Sequence, residues 1–299
     1  MAKFLRTRLV IDRTSATEAL QVDLPINPIS HLVLSLECCN VTDEATLAEL
    51  LAFINSIKVT RFGITIMNLE SEDLYGLQTY LLRHRPSLTQ MVGTDNATRL
   101  LSLIIPFGRT LYNPAECLPG NPKGESQLTL DLTAVGTAAD QGVLNVDCIQ
   151  LPGASPTQYL RSTLKTLAAP GGTGDYTQDL PLGNKIAAIQ FRMITWPATD
   201  SHAYGVDAAA ILIDDKEEAV SSASVQGMIG EAAQRQGAPG TTIAAQGNLT
   251  PATTTWLDFD PNGDGQYLLD TSGAKKAQIR LTYGVNEALK MSTFELVNA

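Results

Sequence analysis

Val22-Asp-Leu-Pro-Ile26 recurs as Gln178-Asp-Leu-Pro-Leu182, and each copy reads as the opening of a strand. The run after the first is His31-Leu-Val-Leu-Ser-Leu-Glu-Cys38, and after the second Lys185-Ile-Ala-Ala-Ile-Gln-Phe-Arg-Met-Ile194, both of strand length and rich in strand formers. The far ends of the two halves match as well. Gln127-Leu-Thr-Leu-Asp-Leu-Thr133 is echoed by Gln278-Ile-Arg-Leu-Thr-Tyr283, and Leu144-Asn-Val-Asp-Cys-Ile-Gln-Leu151 by Leu289-Lys-Met-Ser-Thr-Phe-Glu-Leu296. The three pairs keep their order at spacings of 156, 151 and 145 residues (23 to 179, 127 to 278, 144 to 289). One Asp-Leu-Pro pair would mean little, but three collinear matches argue for a domain duplicated in tandem.

The length agrees. A chain of 299 residues lies near the limit of a single core, so two domains are expected. The proline-dense stretch Leu151-Pro-Gly-Ala-Ser-Pro-Thr157 supplies the boundary, giving domains 1–155 and 156–299. With 44% hydrophobic and 17% charged residues the sequence belongs to a folded, soluble protein. Lys and Arg total 21 against 31 Asp and Glu, a net charge of −10 that repels phosphate backbones and argues against specific nucleic-acid recognition. Lys3, Arg6 and Arg8 interrupt the apolar run a secretory signal needs, and the most apolar short run, Ala208 to Ile213, is far too short to cross a bilayer. Cys38, Cys39, Cys117 and Cys148 show no Cys-x-x-Cys spacing and read as reduced, buried thiols.

The clearest strands alternate, as in Leu128, Leu130 and Leu132 against Thr129, Asp131 and Thr133, the period of an antiparallel sheet with one wet face. Dense Pro and Gly punctuation with long connections suits a Greek-key sandwich. Two helices are expected in the first half. Thr42 caps one carrying Leu47, Leu50, Leu51, Ile54 and Ile57 on one face, and Ser71 caps another carrying Leu74, Leu77, Leu81 and Leu82, with Lys58 to Met67 as a strand between them. The second half has a weaker amphipathic insertion from about Asp214 to Gln236, with Val220, Val225, Met228 and Ile229, followed by a loop from Gly237 to Pro251.

A mainly β chain of this kind resembles the double jelly-roll major capsid proteins of tailless icosahedral viruses. The residues that carry the resemblance are the Asp-Leu-Pro segments at 23–25 and 179–181, the Ile105-Pro-Phe-Gly-Arg-Thr-Leu-Tyr-Asn-Pro114 turn, the strand Gln127 to Thr133, and the closing Trp256-Leu-Asp-Phe-Asp260 and Phe294-Glu-Leu-Val297. It implies two tandem eight-stranded jelly-roll β-sandwiches with short inserted helices. It also implies a non-enzymatic structural subunit, made in the host cytoplasm and built into the virion as homotrimeric, pseudo-hexagonal capsomers that contact one another and other capsid proteins.

Chemistry-bearing motifs are sparse. His31 precedes an apolar strand, His84 lies between Arg83 and Arg85 at an expected helix end, and His202 sits in a polar turn, each a structural setting. Ser162-Thr-Leu-Lys165 has a Ser-x-x-Lys spacing that would bring hydroxyl and amine together on a helical turn, but its partner motifs are absent. Gly171-Gly-Thr-Gly174 has no following Lys-Ser/Thr and reads as a flexible hairpin turn. The one metal candidate is Asp258, Asp260, Asn262 and Asp264, four oxygen-bearing side chains at alternating positions with Gly263 and Gly265, a set that suits calcium. Position twelve of an EF-hand read from Asp260 is Thr271 and the flanks read as strands, so an EF-hand is rejected, and a solvent-facing turn explains the same residues. No other cofactor is implied. Lys3, Arg6, Arg8 and Arg13 make the N-terminus basic, either as an ordinary solvated strand or as an inward edge meeting an internal membrane or the genome. The competing function is a carbohydrate-binding or cell-surface β-sandwich, calcium-dependent through the 258–264 loop; against it, Trp196 and Trp256 both sit in strand-like contexts rather than on a platform.

Overall fold

A computed structural model describes residues 3–14, 17–41, 45–82, 87–88, 95–134, 139–172, 174–195, 205–235 and 254–299. These divide into two compact units, 3–161 with 298–299 and 162–297.

The first unit is built, in chain order, from β1 (Leu5–Thr14), β2 (Glu18–Asp23), β3 (Ile29–Asn40), α1 (Leu47–Leu51), β4 (Ile54–Arg61), β5 (Ile64–Leu69), α2 (Ser71–Leu82), β6 (Ser87–Leu88), β7 (Thr98–Pro106), β8 (Ser126–Leu132) and β9 (Ala139–Gln150). One antiparallel sheet has the order β1-β9-β3-β7-β6 and the other β2-β8-β4-β5. The second unit is built on β10 (Gln158–Leu167), β11 (Gly174–Asp179), β12 (Lys185–Met193), β13 (Val206–Ile213), β14 (Lys216–Glu217), β15 (Ala223–Ser224), α3 (Val225–Arg235), β16 (Thr254–Asp258), β17 (Leu269–Asp270), β18 (Ala277–Tyr283) and β19 (Leu289–Asn298). Its sheets run β10-β19-β12-β16, with β17 added on β12, and β11-β18-β13-β14, with β15 added on β13.

Setting aside the short strands β6, β15 and β17, both units have the same strand order: first, last, third and sixth strands in one sheet; second, seventh, fourth and fifth in the other. The chain is therefore two tandem eight-stranded jelly-roll sandwiches with short inserted helices. Every repeated segment of the sequence falls on corresponding strands: β3 and β12, β8 and β18, β9 and β19.

The Asp-Leu-Pro copies differ from expectation in one respect. They close strands β2 and β11, and the next strand follows after a short link. Proline has no N–H for the ladder, so the strand stops at the Asp. The details repeat. Asp23 pairs with Gln127 and Asp179 with Gln278 in register. The Gln127 amide donates to Asp23 Oδ1 at 3.1 Å, and the Gln278 amide to Asp179 Oδ1 at 2.7 Å. The N–H of Leu24 donates to Ser126 O at 2.8 Å and that of Leu180 to Ala277 O at 2.9 Å, while both leucine side chains are buried.

The alternation read in β8 holds, with Leu128, Leu130 and Leu132 buried and Asp131 exposed; Ile279 and Leu281 of β18 are buried likewise. A second core gathers Ile186, Ile189 and Phe191 of β12, Ile211 of β13, Leu257 of β16 and Met291 of β19.

The first expected helix is shorter than its periodicity suggests. Thr46 caps α1 through a capping box with Glu49, Thr42 lies outside the described residues, and Ile54 and Ile57 belong to β4. The stretch from Ile54 contains β-branched residues and pairs with β8 over its length, and that ladder wins over the helical spacing. The segment Lys58 to Met67 is a hairpin rather than one strand. Phe62 (φ 49°) and Gly63 (φ 74°) form a two-residue turn of the primed kind that matches strand twist. Asp214 (φ 49°) and Asp215 (φ 66°) make the corresponding turn between β13 and β14. Ser71 begins α2 as expected, but its hydroxyl donates to Leu51 O at 2.6 Å, tying the helix to the end of α1. In the second roll α3 occupies the expected insertion, with Val225 buried in the core and Val220 and Met228 packed against it. The loop expected from Gly237 to Pro251 lies outside the described residues.

Candidate functional site

The four candidate metal ligands sit on one connection, leaving β16 at Asp258. The Asp260 N–H donates to Asp258 Oδ1 (2.8 Å), the Gly265 N–H to Asp260 Oδ1 (2.7 Å) and the Gln266 N–H to Asp264 Oδ1 (2.9 Å). Asp260 is buried, whereas Asn262 and Asp264 are exposed, and Gly263 and Gly265 take the positive φ of a tight turn. Each carboxylate thus caps loop amides, as Asx-turns do. Among the described residues no three of His, Cys, Asp and Glu gather as metal ligands. The expected result is a melting temperature indifferent to calcium and to chelator, in the native chain and in Asp260→Asn/Asp264→Asn alike. A rise with calcium that the double substitution abolishes would instead assign a cation to the loop.

The remaining motifs separate. Ser162 and Lys165 lie on strand β10 rather than a helix, and three residues apart on a strand they face opposite ways: Ser162 is buried and Lys165 exposed. Gly171 links β10 to β11, strands of different sheets, so the glycine segment is a crossing between sheets and not a hairpin; Gly171 N–H donates to Asn286 Oδ1 at 2.8 Å. His84, His202 and Trp196 lie outside the described residues. Trp256 is buried with its ring 5.5 Å from that of Phe294, so it offers no exposed platform. Cys38, Cys117 and Cys148 are free, buried thiols, pushed by that burial up to about 11, 11 and 12.

His31 is buried on β3. Its Nδ1 lies 2.9 Å from Ser30 Oγ, which also accepts the Tyr112 N–H at 2.7 Å, and the Tyr112 ring stands edge-on at 5.1 Å. Burial first, then the charge of Arg6, lowers its pKa to about 4, so the imidazole is neutral at pH 7. On β1, Arg6 pairs with Asp147 at 2.6 Å, Arg13 pairs with Glu18 and Arg8 is exposed, as is Lys3 just before the strand.

Sequence reading missed the polar anchor of the link between β7 and β8. Glu116, 4% exposed, accepts the Arg109 backbone N–H at 2.6 Å and its guanidinium at 2.9 to 3.2 Å, and the Gln158 amide at 3.3 Å. A Cβ at Gly108 would lie 2.2 Å from Glu116 O, so glycine is required where the two backbones meet. The Ile105–Pro114 turn was visible in the sequence, but nothing in its local pattern pairs Arg109 with Glu116.

No family model matches this sequence, and no curated protein matches it significantly. Solved structures do. The major capsid protein P2 from Bacteriophage PM2 aligns over 100% of this chain and 98% of its own, with 16% identity and a TM-score of 0.64. A chain from the atomic structure of Sulfolobus Turreted Icosahedral Virus aligns over 99% and 91%, with 10% identity and a TM-score of 0.74. The Faustovirus major capsid protein aligns over 100% and 90%, with 8% identity and a TM-score of 0.61. From end to end, this chain has the double jelly-roll fold of the PM2 and Faustovirus major capsid proteins.

Proposed function

We propose that the chain is a structural subunit of an icosahedral virus shell, and that three copies associate so that six similar rolls surround one axis. Such a pseudo-hexagonal block can tile a shell through near-equivalent contacts, which gives the duplication a use. The observation that carries this reading is the identical strand order of the two rolls, in a chain that aligns over its whole length with major capsid proteins. Its place is the virion, and its partners are neighbouring copies and other shell proteins. The N-terminal segment through β1, with Lys3 and Arg8 exposed, is the one we assign to an anionic surface inside the shell, membrane or genome. The role is structural rather than catalytic.

Negative-stain images of the purified full chain test the reading. Compact blocks with pseudo-sixfold outlines are expected. Isolated single-chain particles at every concentration would overturn it and favour a cell-surface binding module.

A further inference from the structure

Asn262-Gly263 is the single Asn-Gly pair in the sequence, and it stands in the connection that leaves β16. The Gly263 N–H donates to Asp260 O at 3.0 Å, closing a four-residue turn with Pro261 and Asn262 at its centre. Gly263 takes φ 73°, and a Cβ built on it would meet nothing within 4 Å. Asn262 is exposed. The backbone nitrogen next to this amide is therefore shielded neither by a side chain of its own nor by a neighbour, and water reaches both groups.

Asparagines elsewhere are set differently. Asn27, Asn113 and Asn121 precede proline, whose nitrogen has no proton to give up. Asn40 is buried, its Oδ1 accepting the Ala45 N–H at 3.2 Å. Asn55 donates to Thr133 Oγ1 at 2.6 Å, Asn184 donates to Glu295 Oε2 at 2.9 Å, and Asn286 Oδ1 accepts the Gly171 N–H at 2.8 Å. Asn96 is exposed, but the methyl of Ala97 stands beside the nitrogen that follows it.

We infer that Asn262 is a self-modification site, at which the folded chain loses the side-chain amide without any enzyme. Hydroxide takes the Gly263 amide proton, and the nitrogen attacks Asn262 Cγ. A C–N bond forms there, the Cγ–Nδ2 bond breaks, and the leaving nitrogen takes a proton from water and departs as ammonia. Water then opens the cyclic imide at either carbonyl, giving aspartate or isoaspartate. In sum the amide and one water become a carboxylate and an ammonium ion, and nothing is oxidised or reduced. The turn sets the pace, because the Gly263 proton is held on Asp260 O and attack waits for that bond to open. Each event takes the net charge from −10 to −11 (−10 − 1). The isoaspartyl product also adds a methylene to the main chain inside the turn.

Incubating the purified full chain at neutral pH tests this, with samples resolved by anion exchange and fragment masses locating the change. A species one charge more acidic is expected to accumulate with time, with the exchange of NH2 for OH at residue 262 and ammonia released in step. Asn262→Gln would have to close a larger ring, and is expected to melt like the native chain and to lose the acidic species. In urea, where the turn bond is gone, the native chain should convert up to about tenfold faster, the factor for one hydrogen bond. A folded chain that stays a single species would overturn the inference, as would an acidic species mapped to another asparagine or one that Asn262→Gln forms at the native rate. Equal rates in the folded and unfolded chain would overturn the part given to the turn bond. The fragment masses read the native chain alone, so the outcome stands even if the variant folds poorly.

Discussion

Glu116→Ala is expected to lower the unfolding free energy by about 3 to 5 kcal/mol, the range for removing one partner of a buried ion pair. The Glu116 side chain is 4% exposed and that of Arg109 13%, so neither charge can turn to water without moving the link. Removing the carboxylate takes away the ion-pair partner of the buried guanidinium and the acceptor of the Arg109 N–H, which Glu116 holds at 2.6 Å. The link is locked on the backbone side as well, because Gly108 passes so close to Glu116 O. A fall in melting temperature of roughly 10 °C should follow in a chain of this size. Replacing both partners, as Arg109→Met/Glu116→Leu, should recover much of the loss, since desolvation of the charges disappears with them. A loss under about 1 kcal/mol in Glu116→Ala, the value of an exposed pair, would show that the pair is not buried in solution.

The second large effect is acid sensitivity through His31. An unfolded histidine protonates near pH 6.5, whereas burial and Arg6 hold this one down to about 4. Between those values the unfolded chain binds the extra proton, so stability is full above pH 6.5 and falls as the pH drops toward 4. The total is about 2 to 3 kcal/mol, taking some residual solvation of the ring into account. Three carboxylates with lowered values do not blur the upper part of this window. Glu18, hydrogen-bonded to Arg13, and Glu217, hydrogen-bonded to Ser221 and Arg280, are held below 4.5, and Asp270, hydrogen-bonded to Ser272, below 3.8, so their contributions are lost only at lower pH. Denaturant melts of the native chain and His31→Gln at pH 7.5 and pH 5 measure the effect. The native chain should lose stability between them and the variant should lose much less; equal losses would remove His31 as the cause.

The parts of the fold legible in the sequence were those fixed by period and by repetition. Leu128, Leu130 and Leu132 alternate because one sheet face is buried, and the paired segments at 127 and 278, 144 and 289 mark corresponding strands because both rolls solve the same packing problem. Where tertiary pairing competed with local pattern, the reading failed. Ile54 and Ile57 continue a helical stripe on paper, yet β8 offers them a ladder. Phe62-Gly63 and Asp214-Asp215 lack the usual Asn-Gly or Asp-Gly signature, because Phe seldom takes positive φ and Asp215 stands where glycine is usual, and both turns are held by the strands they join. The Asp258–Asp264 spacing was visible, but spacing does not say whether a carboxylate faces an ion or its own backbone, and Asp260 accepts the Gly265 N–H. Arg109 and Glu116 meet only once the link folds over β3, through the Ile29–Leu118 pairing, which no short window contains.

Two like rolls in one chain are proposed to assemble in threes. Sedimentation equilibrium of the purified full chain at micromolar concentration tests it most directly. A species of three chains that persists on dilution is expected, and a chain that remains a monomer at every accessible concentration would overturn the trimeric reading.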